Sequence, residues 1–389
     1  MPIKQLIAEM HGEMTEWRQS IHANPETGYE EERTSDMVAK LLGSFGVEVH
    51  TGLAKTGVVG VLKGKKANGA TIGLRADMDA LHIAEETNLP YRSRVEGKMH
   101  ACGHDGHTAM LLGAAKYLAE TRDFAGTVCF IFQPAEESGG GGKRMIGEGL
   151  FRKFPMDAVY GLHNWPGLPV GTVVARAGPM MAASDVFEIK ITGKGGHAAL
   201  PHQTVDPVVT AAQCIIALQS ITSRTTDPLD ALVLSVAQVQ GGQTFNIIPE
   251  TVELRGTARS FDADLRDRIE PMIRRIIDGV CTAHGATADM RFFRSYPATV
   301  NHETETTHAA DAARRVVGGD NVRDDVRPCM GAEDFSYMLE EKAGSYIWLG
   351  AGEDRAGLHN PHYDFNDEIL PVGASYWAEL VESQLRAAG

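Results

Sequence analysis

Short apolar segments alternate with helical patterns in the first part of this chain, and this alternation constrains the fold more than any other feature. Up to about Ala182, strand patterns occur in TGVVGVLKG, ATIGLRADM, GTVCFIFQ and MDAVYGLH, and a helical pattern in HTAMLLGAAKYLAE. Strands separated by helices predict an α/β fold with a mainly parallel central sheet and helices on both faces. Ligands of such sheets bind beyond the carboxyl ends of the strands.

The pattern changes after ARAGPMMAAS, where a second kind of domain begins. DVFEIKITG alternates with period two, and two long helical patterns follow, separated and flanked by further strands. The order βαββαβ predicts a ferredoxin-like α+β layer of two helices on one antiparallel sheet. We therefore predict a catalytic domain over residues 1–183, an inserted domain over 184–297, and a return to the first domain over 298–389.

Charge, hydropathy and cysteine content exclude several classes of protein. A net charge of -14 argues against nucleic-acid binding, because such proteins concentrate lysine and arginine on one surface. No apolar run approaches the ~20 residues of a membrane span, and the first residues lack the pattern of a secretory signal. The five cysteines are odd in number and scattered, which favours reduced thiols and a cytoplasmic location.

Three histidines and one cysteine lie within eight positions in KMHACGHDGHTAM. In an extended segment His100, Cys102 and His104 point the same way, and Asp105 is placed to cap the helix that follows. Imidazole and thiolate together suit zinc and its first-row neighbours, so the segment predicts a metal site. The alternative is a nucleophilic Cys102, which requires a histidine base and an orienting partner.

A pair of adjacent glutamates follows a buried strand in IFQPAEESGGGG. Two carboxylates in such a place repel each other unless a cation is near, although a solvated pair at a strand end is the simpler interpretation. Successive side chains diverge, so one of Glu136 and Glu137 can bind a metal while the other takes a proton from water.

Further histidines lie where such a site requires them. His163 directly follows an apolar strand, and His359 and His362 both lie in the polar loop GLHNPHYDFND before the last helix. The residue types and their spacing do not choose between His359 and His362 as a ligand.

Specific sequence blocks recur in a fixed order along nearly the whole chain. They run through WRQSIHANPETGYEEERTS, LRADMDAL, HACGHDGHTAMLLGAA, FQPAEE, GLHNWP, GKGGHAALPH, NIIPE, GTARSF and GAEDFSYM to LHNPHYDFNDE. The chain resembles the metal-dependent amidohydrolases of the aminoacylase and carboxypeptidase group, in the branch of hippurate hydrolases and auxin-conjugate hydrolases. The resemblance implies a catalytic α/β domain interrupted by a smaller dimerisation domain, or lid.

The resemblance also implies a role for each matching residue. Glu136 corresponds to the general base. His100 and His107 do not match ligand positions, so the resemblance implies that they support the ligands indirectly or are structural. The ligating histidine of the closing motif stands two residues before the proline, which selects His359. The wider group carries His-x-Asp where this chain has Arg75-Ala76-Asp77, and a cysteine takes the place of a bridging carboxylate. The implied metal ligands are Cys102, His104, Glu137, His163 and His359.

Three residues of the inserted domain match positions with a role in the family. His197 in GKGGHAALPH corresponds to a residue that reaches across the dimer to polarise the scissile carbonyl, and Asn246 and Arg259 correspond to residues that bind a substrate carboxylate. Without the resemblance, His197 is a turn residue among glycines, and the other two are ordinary polar residues at strand ends.

The predicted activity is hydrolysis of the amide bond of N-acyl amino acids, hippurate-like or N-acetylated. The resemblance implies two divalent ions per subunit, chosen from Zn, Mn, Co and Ni, and a homodimer through the lid domain or a higher homo-oligomer. The alternatives are a dinuclear metal dipeptidase or carboxypeptidase, an amide hydrolase that uses Cys102, and a noncatalytic metalloprotein.

Overall fold

The chain folds into two compact units, one of which interrupts the other in sequence. A computed structural model describes residues 4–386, with the backbone alone at 66–68. The first unit contains the residues up to Met180, Val300–Arg327 and the residues from Asp334 onward. The second contains Met181–Thr299 and Pro328–Glu333. No helix within residues 4–386 is long and apolar enough to span a membrane.

Strands and helices of the described residues are numbered here in chain order. The strands are β1 (Glu48–Leu53), β2 (Gly57–Lys63), β3 (Lys66–Asp77), β4 (Ala125–Gln133), β5 (Ala158–Pro166), β6 (Val173–Val174), β7 (Gly178–Met181), β8 (Ala183–Thr192), β9 (Gly196–His197), β10 (Leu232–Gly241), β11 (Ile247–Ile248), β12 (Thr251–Ser260), β13 (Thr287–Arg294), β14 (Thr299–Asn301), β15 (Val322–Arg323) and β16 (Ala343–Gly352). The α-helices are α1 (Gln5–Glu9), α2 (His11–His22), α3 (Glu32–Ser44), α4 (His104–Thr121), α5 (Glu136–Gly139), α6 (Gly141–Gly147), α7 (Leu150–Lys153), α8 (Pro207–Ser220), α9 (Ala263–His284), α10 (Glu303–Val317), α11 (Ser336–Glu341) and α12 (Leu370–Gln384).

An eight-stranded sheet forms the centre of the first unit, in the order β1-β2-β4-β3-β5-β16-β6-β15. The four central strands β4, β3, β5 and β16 run parallel, whereas β1 and β2 pair antiparallel at one edge. Helices α2, α4, α10 and α12 pack on one another around a large apolar core, and α6 and α11 contact each other and the strands. The parallel pairing of the four central strands confirms the predicted α/β class with a mainly parallel central sheet. The central strands β4 and β16 are apolar and buried almost throughout, as parallel strands covered by helices on both faces require.

The second unit has the βαββαβ order β8-α8-β10-β12-α9-β13, apart from two short strands in its loops. Its four-stranded sheet has the order β10-β12-β8-β13 and is antiparallel throughout. Alternate residues of β8, such as Phe187, Ile189 and Ile191, point into a separate core beneath α8 and α9. Asp206 and Asp262 cap the two helices by accepting hydrogen bonds from backbone N–H groups. The ferredoxin-like prediction is confirmed.

Candidate metal centre

Three neighbouring parallel strands of the first unit end beside one another and deliver polar residues to the same edge. Asp77 closes β3 and pairs with Gln133, the last residue of β4, so Glu136 and Glu137 follow close by. His163 lies on the adjacent strand, within β5 rather than after it, because β5 stays paired with β16 as far as Pro166. The carboxyl ends of the strands are therefore occupied as the sequence predicts.

The cysteine- and histidine-rich segment ends in a tight turn at the start of α4. The helix begins at His104, and Gly103 is its N-cap with a left-handed φ of 96°. The predicted capping role of Asp105 is wrong, because Asp105 lies inside the first turn and accepts a hydrogen bond from His22 Nδ1 at 2.9 Å. The left-handed turn places His104 at the exact start of the helix, where its ring faces the ends of the strands.

Replacement of Gly103 by alanine tests this turn. A Cβ atom at this position would lie 2.1 Å from Asn164 Oδ1 and 2.7 Å from Tyr363 Oη. The left-handed backbone conformation of Gly103 is also unfavourable for alanine. We expect the free energy of unfolding to fall by about 2–4 kcal/mol, measured by chemical denaturation. Gly147→Ala is the control, because nothing lies within 4 Å of an added Cβ at that position. A Gly103→Ala protein as stable as the wild type would contradict the described packing.

The five predicted ligands lie together in the first unit. Cys102 Sγ is 3.3 Å from His163 Nε2, and Glu137 Oε1 is 3.9 Å from His104 Nε2 and 3.2 Å from His359 Nε2. The ligand atoms of Cys102, His104 and His163 lie within 4.8 Å of one another, and so do those of Cys102, Glu137 and His359. The two sets share Cys102, so the arrangement has the form of two adjoining sites.

Two of the histidines are oriented by hydrogen bonds at their outer nitrogens. His104 Nδ1 lies 3.2 Å from Asp79 Oδ1, and His163 Nδ1 donates to the backbone oxygen of Asn164 at 2.6 Å. Both rings therefore direct Nε2 into the cluster. An outer partner of this kind is usual for histidines that bind metal, because it selects the tautomer and holds the ring.

The donor set fits divalent cations. His104 Nε2 is buried without a hydrogen-bond partner, and Glu137 Oε1 is buried with only the ion-pair contact to His359 Nε2 at 3.2 Å, a costly state for polar atoms unless a ligand satisfies them. Burial raises the pKa of the Cys102 thiol well above its usual value, and the carboxylates of Glu137 and Glu136 raise it further. Burial lowers the pKa of His104, but the Asp77 and Asp79 carboxylates outweigh this and raise it to about 10. Cations would satisfy the bare atoms and hold Cys102 as a thiolate, with release of protons.

Glu136 lies beside the ligand cluster and is held from two sides. Its backbone N–H donates to Asp79 Oδ1 and that of Glu137 to Asp79 Oδ2, both at 3.0 Å. The Glu136 carboxylate accepts a hydrogen bond from the backbone N–H of Asp334 at 3.3 Å. Ligand atoms of Glu136, His104 and Glu137 lie within 4.8 Å of one another. Asp79 thus positions the backbone of both glutamates, and their carboxylates lie at the cluster.

Asp77 lies 3.7 Å from His104 Nε2, and its hydrogen bonds are made to residues outside the five ligands. Its Oδ2 accepts from Arg75 Nη1 at 2.6 Å, and its Oδ1 lies 2.6 Å from His107 Nδ1. His107 Nε2 in turn accepts the backbone N–H of Asn164 at 3.0 Å. Arg75 and His107 therefore tie this aspartate into a buried network.

Two histidines that the sequence offered as ligands lie outside the cluster. His100 is buried with no hydrogen-bond partner at either nitrogen, and burial lowers its pKa to about 4. His362 is exposed and pairs with Glu86 at 3.4 Å, whereas His359 lies beside Glu137. The backbone N–H of His359 donates to the oxygen of Ala101 at 2.7 Å, which draws its loop to the cysteine-rich segment.

The remaining predicted residues belong to the second unit. His197 on β9 pairs with Ile247 on β11, and the N–H of Ala198 donates to the backbone oxygen of Asn246 at 3.1 Å. His197 and Asn246 are therefore close neighbours in an exposed loop region. Arg259 lies on β12, half-buried, and burial lowers its pKa.

Asp79 is a residue that the sequence reasoning missed. Its carboxylate contacts His104 and the backbone of both adjacent glutamates. The signal was present in the alternation of charged residues at positions 75, 77 and 79, because a buried strand does not end in three alternating charges without partners.

The chain is similar to known proteins over most of its length. A model of peptidase family M20/M25/M40 matches residues 73–383. The hippurate hydrolase of Campylobacter jejuni is 43% identical over 380 residues, which cover 98% of each chain. An IAA-amino acid hydrolase of Arabidopsis thaliana (ILR1-like 4) is 39% identical over 99% of this chain and 89% of its own. The crystal structure of a Bacillus subtilis protein described as a dinuclear metal binding peptidase of the M20 family matches with a TM-score of 0.85 and 35% identity, over 97% of this chain and 99% of that one.

These similarities extend over almost the full length of the chain, so they cover both units. They confirm the predicted resemblance and the prediction of a hydrolase that acts on amide bonds. This chain therefore belongs to peptidase family M20/M25/M40, in its branch of hippurate and auxin-conjugate hydrolases.

Proposed function

We propose that this protein hydrolyses the amide bond of N-acyl amino acids, with Glu136 as general base beside a pair of divalent cations. The observation that carries the proposal is the position of Glu136 next to a buried set of thiol, imidazole and carboxylate donors with two unsatisfied atoms. Cys102, His104, Glu137, His163 and His359 would hold the cations. When bound, such ions would supply Lewis-acid chemistry, which makes water more acidic and polarises a carbonyl.

The residues of the chain supply the proton transfers. Glu136 is close enough to the ligand atoms of His104 and Glu137 to remove a proton from the attacking water. The same carboxyl group then delivers that proton to the leaving nitrogen, so that one residue serves as base and then as acid. The Asp79 carboxylate and the Asp334 amide keep Glu136 in place between these two transfers.

Three residues of the second unit complete the proposed machinery. We assign His197 to stabilisation of the oxyanion, a contact that contributes about 3 kcal/mol in comparable enzymes. Arg259, whose planar guanidinium suits a carboxylate, and Asn246 orient the carboxylate of the amino acid. The proposed assembly is a homodimer through the second unit, in which His197 serves the site of the partner subunit.

Mixing two inactive variants tests that assembly. The His197→Ala and Glu136→Gln proteins would lack different groups of the shared site, so each mixed dimer should contain one intact site. An equal mixture after random exchange should therefore recover up to about a quarter of wild-type turnover. The measurement is amine release after subunit exchange, with exchange verified by native mass spectrometry. Each variant mixed with itself is the control. Verified exchange without recovery would exclude a shared site.

The substrate class is supported by two of the three named relatives, the hippurate hydrolase and the IAA-amino acid hydrolase. A carboxypeptidase or dipeptidase is the nearest alternative, because the same centre can attack a peptide bond. A metal-reconstituted screen of N-acetyl, N-benzoyl and longer N-acyl amino acids against dipeptides, read by amine release, separates the two. We expect higher kcat/KM on the acyl amino acids. A preference for dipeptides with a free amino terminus would overturn the proposal.

Two properties of the cysteines support further parts of the proposal, namely that Cys102 is not a nucleophile and that the protein is cytoplasmic. Burial and adjacent carboxylates raise the pKa of Cys102, which is the opposite of what a nucleophilic thiol requires. All five cysteines are free in the structure, which is typical of a reducing compartment and supports a cytoplasmic location.

A further inference from the structure

We propose that Arg75 is a positioning residue for the reaction, which acts through Asp334 to hold the carboxylate of Glu136. The inference deepens the function proposed above and rests on Glu136 as the general base. It follows from a chain of buried hydrogen bonds that begins at the end of β3 and finishes at the Glu136 carboxylate.

The guanidinium of Arg75 donates in three directions. Its Nη1 donates to Asp77 Oδ2 at 2.6 Å, its Nη2 to Asp334 Oδ1 at 3.0 Å, and its Nε to Gln133 Oε1 at 2.9 Å. All four side chains are fully buried. The planar guanidinium serves these acceptors from three separate nitrogens, whereas a lysine carries all its donors on one nitrogen at the end of a flexible stem and cannot reach the same three positions. The position therefore requires arginine in particular, and not only a positive charge.

Asp334 is anchored by further donors on both carboxylate oxygens. Gln133 Nε2 donates to Oδ1 at 2.7 Å, and the backbone N–H of Gly142 donates to Oδ2 at 2.8 Å. A side chain held by three donors fixes the backbone to which it is attached. The backbone N–H of Asp334 is the group that reaches Glu136 Oε1.

This arrangement holds Glu136 at its side chain, while Asp79 holds it at its backbone. A general base must stay within hydrogen-bond reach of its proton, and a displacement of about 1 Å can reduce turnover by about a hundredfold. Loss of the Arg75 fork would remove one of the three donors to Asp334 and also the donor that holds Gln133, so the Asp334 backbone and the Glu136 carboxylate could move. Two of the proposed ligands, His104 and His163, would keep their orienting hydrogen bonds, because these are made to Asp79 and to the backbone oxygen of Asn164 and not to Arg75 or Asp334.

The test compares Arg75→Lys and Arg75→Met with a matched structural variant. Asn301→Ala removes a buried side chain that makes three hydrogen bonds to the backbone of Arg176 and Tyr346 in the same unit. We expect kcat to fall about tenfold in Arg75→Lys and about a hundredfold in Arg75→Met, with KM and metal content unchanged. Asn301→Ala should lose thermal stability and keep kcat. If Arg75→Met does not fold, Arg75→Lys carries the test, since it keeps the charge.

A double-mutant cycle and crystal structures identify the route of the effect. In a Glu136→Gln background, Arg75→Lys should cause no further loss of the residual rate, because its effect passes through Glu136. An equal loss in both backgrounds would overturn the inference. In metal-loaded crystals of Arg75→Lys, the hydrogen bond between Glu136 and the Asp334 amide should be lengthened or absent. An unmoved Glu136 overturns the positioning role whatever the kinetics show. Failure of the proposed function appears differently, as wild-type turnover in Glu136→Gln alone.

Discussion

Glu136→Gln is expected to reduce kcat by about a thousandfold and leave both metal ions bound. The amide has the shape of the carboxylate and still offers an oxygen to the Asp334 N–H, so the local structure should survive. The amide cannot take a proton from water near neutral pH, so no group remains to carry the proton from the water to the leaving nitrogen. The proposed ligands are other residues, so metal content should be unchanged. The measurements are kcat on an N-acyl amino acid and metal content by mass spectrometry.

The matched control for this substitution is Glu340→Gln, which makes the same chemical change at an exposed position of α11. It should retain wild-type kcat. Turnover in Glu136→Gln within a factor of two or three of wild type would remove Glu136 from the role of base. Loss of the metals in the same variant would instead assign Glu136 to the ligands.

Dialysis against a strong chelator is expected to abolish turnover, and added Zn, Mn, Co or Ni should restore it. The metal-free cluster contains an uncharged thiol and unsatisfied buried atoms, so the first unit should also lose stability. An ion present at about a thousand times its Kd stabilises a folded protein by about 4 kcal/mol. Removal of the ions should therefore lower the melting temperature. The measurements are amine release and calorimetry, before and after the addition of each ion.

Cys102→Ser provides the matched variant for metal removal, because it replaces a soft thiolate with a weakly acidic hydroxyl. Metal content and turnover should both fall. Cys129→Ser, at another buried cysteine of the same unit, should change stability alone. A thiol-dependent hydrolase would behave otherwise, since it would keep its activity in chelator and lose it in Cys102→Ser. Full metal binding without hydrolysis of any acyl amino acid would favour a noncatalytic metalloprotein.

Much of the site was predictable because its residues lie in short local patterns. The segment around Cys102 and His104, and the pair Glu136 and Glu137, each stand out without knowledge of the fold. Their convergence follows from the rule that neighbouring parallel strands end at one edge of the sheet. The resemblance to a known family then selected His359 over His362, a choice that the spacing of the two histidines left open.

Other features depend on contacts between distant segments and have no local signal. The extent of β5 beyond His163 is set by its pairing with β16, and Asp105 turns to His22 instead of capping α4. The link from Arg75 to Asp334 joins residues 259 positions apart. Nothing in either local sequence specifies that link.

The sequence alone was enough to predict the two kinds of sheet, the insertion of one domain within the other, and the residue types of the metal centre. Hydrophobic periodicity and ligand chemistry are local properties, and they can be read from a few neighbouring residues. Tertiary structure alone decided which oxygen or nitrogen each buried side chain meets, as at Asp79, Asp77 and Asp334. Those pairings arise because buried polar atoms need partners, and close packing of distant segments determines which partners are within reach.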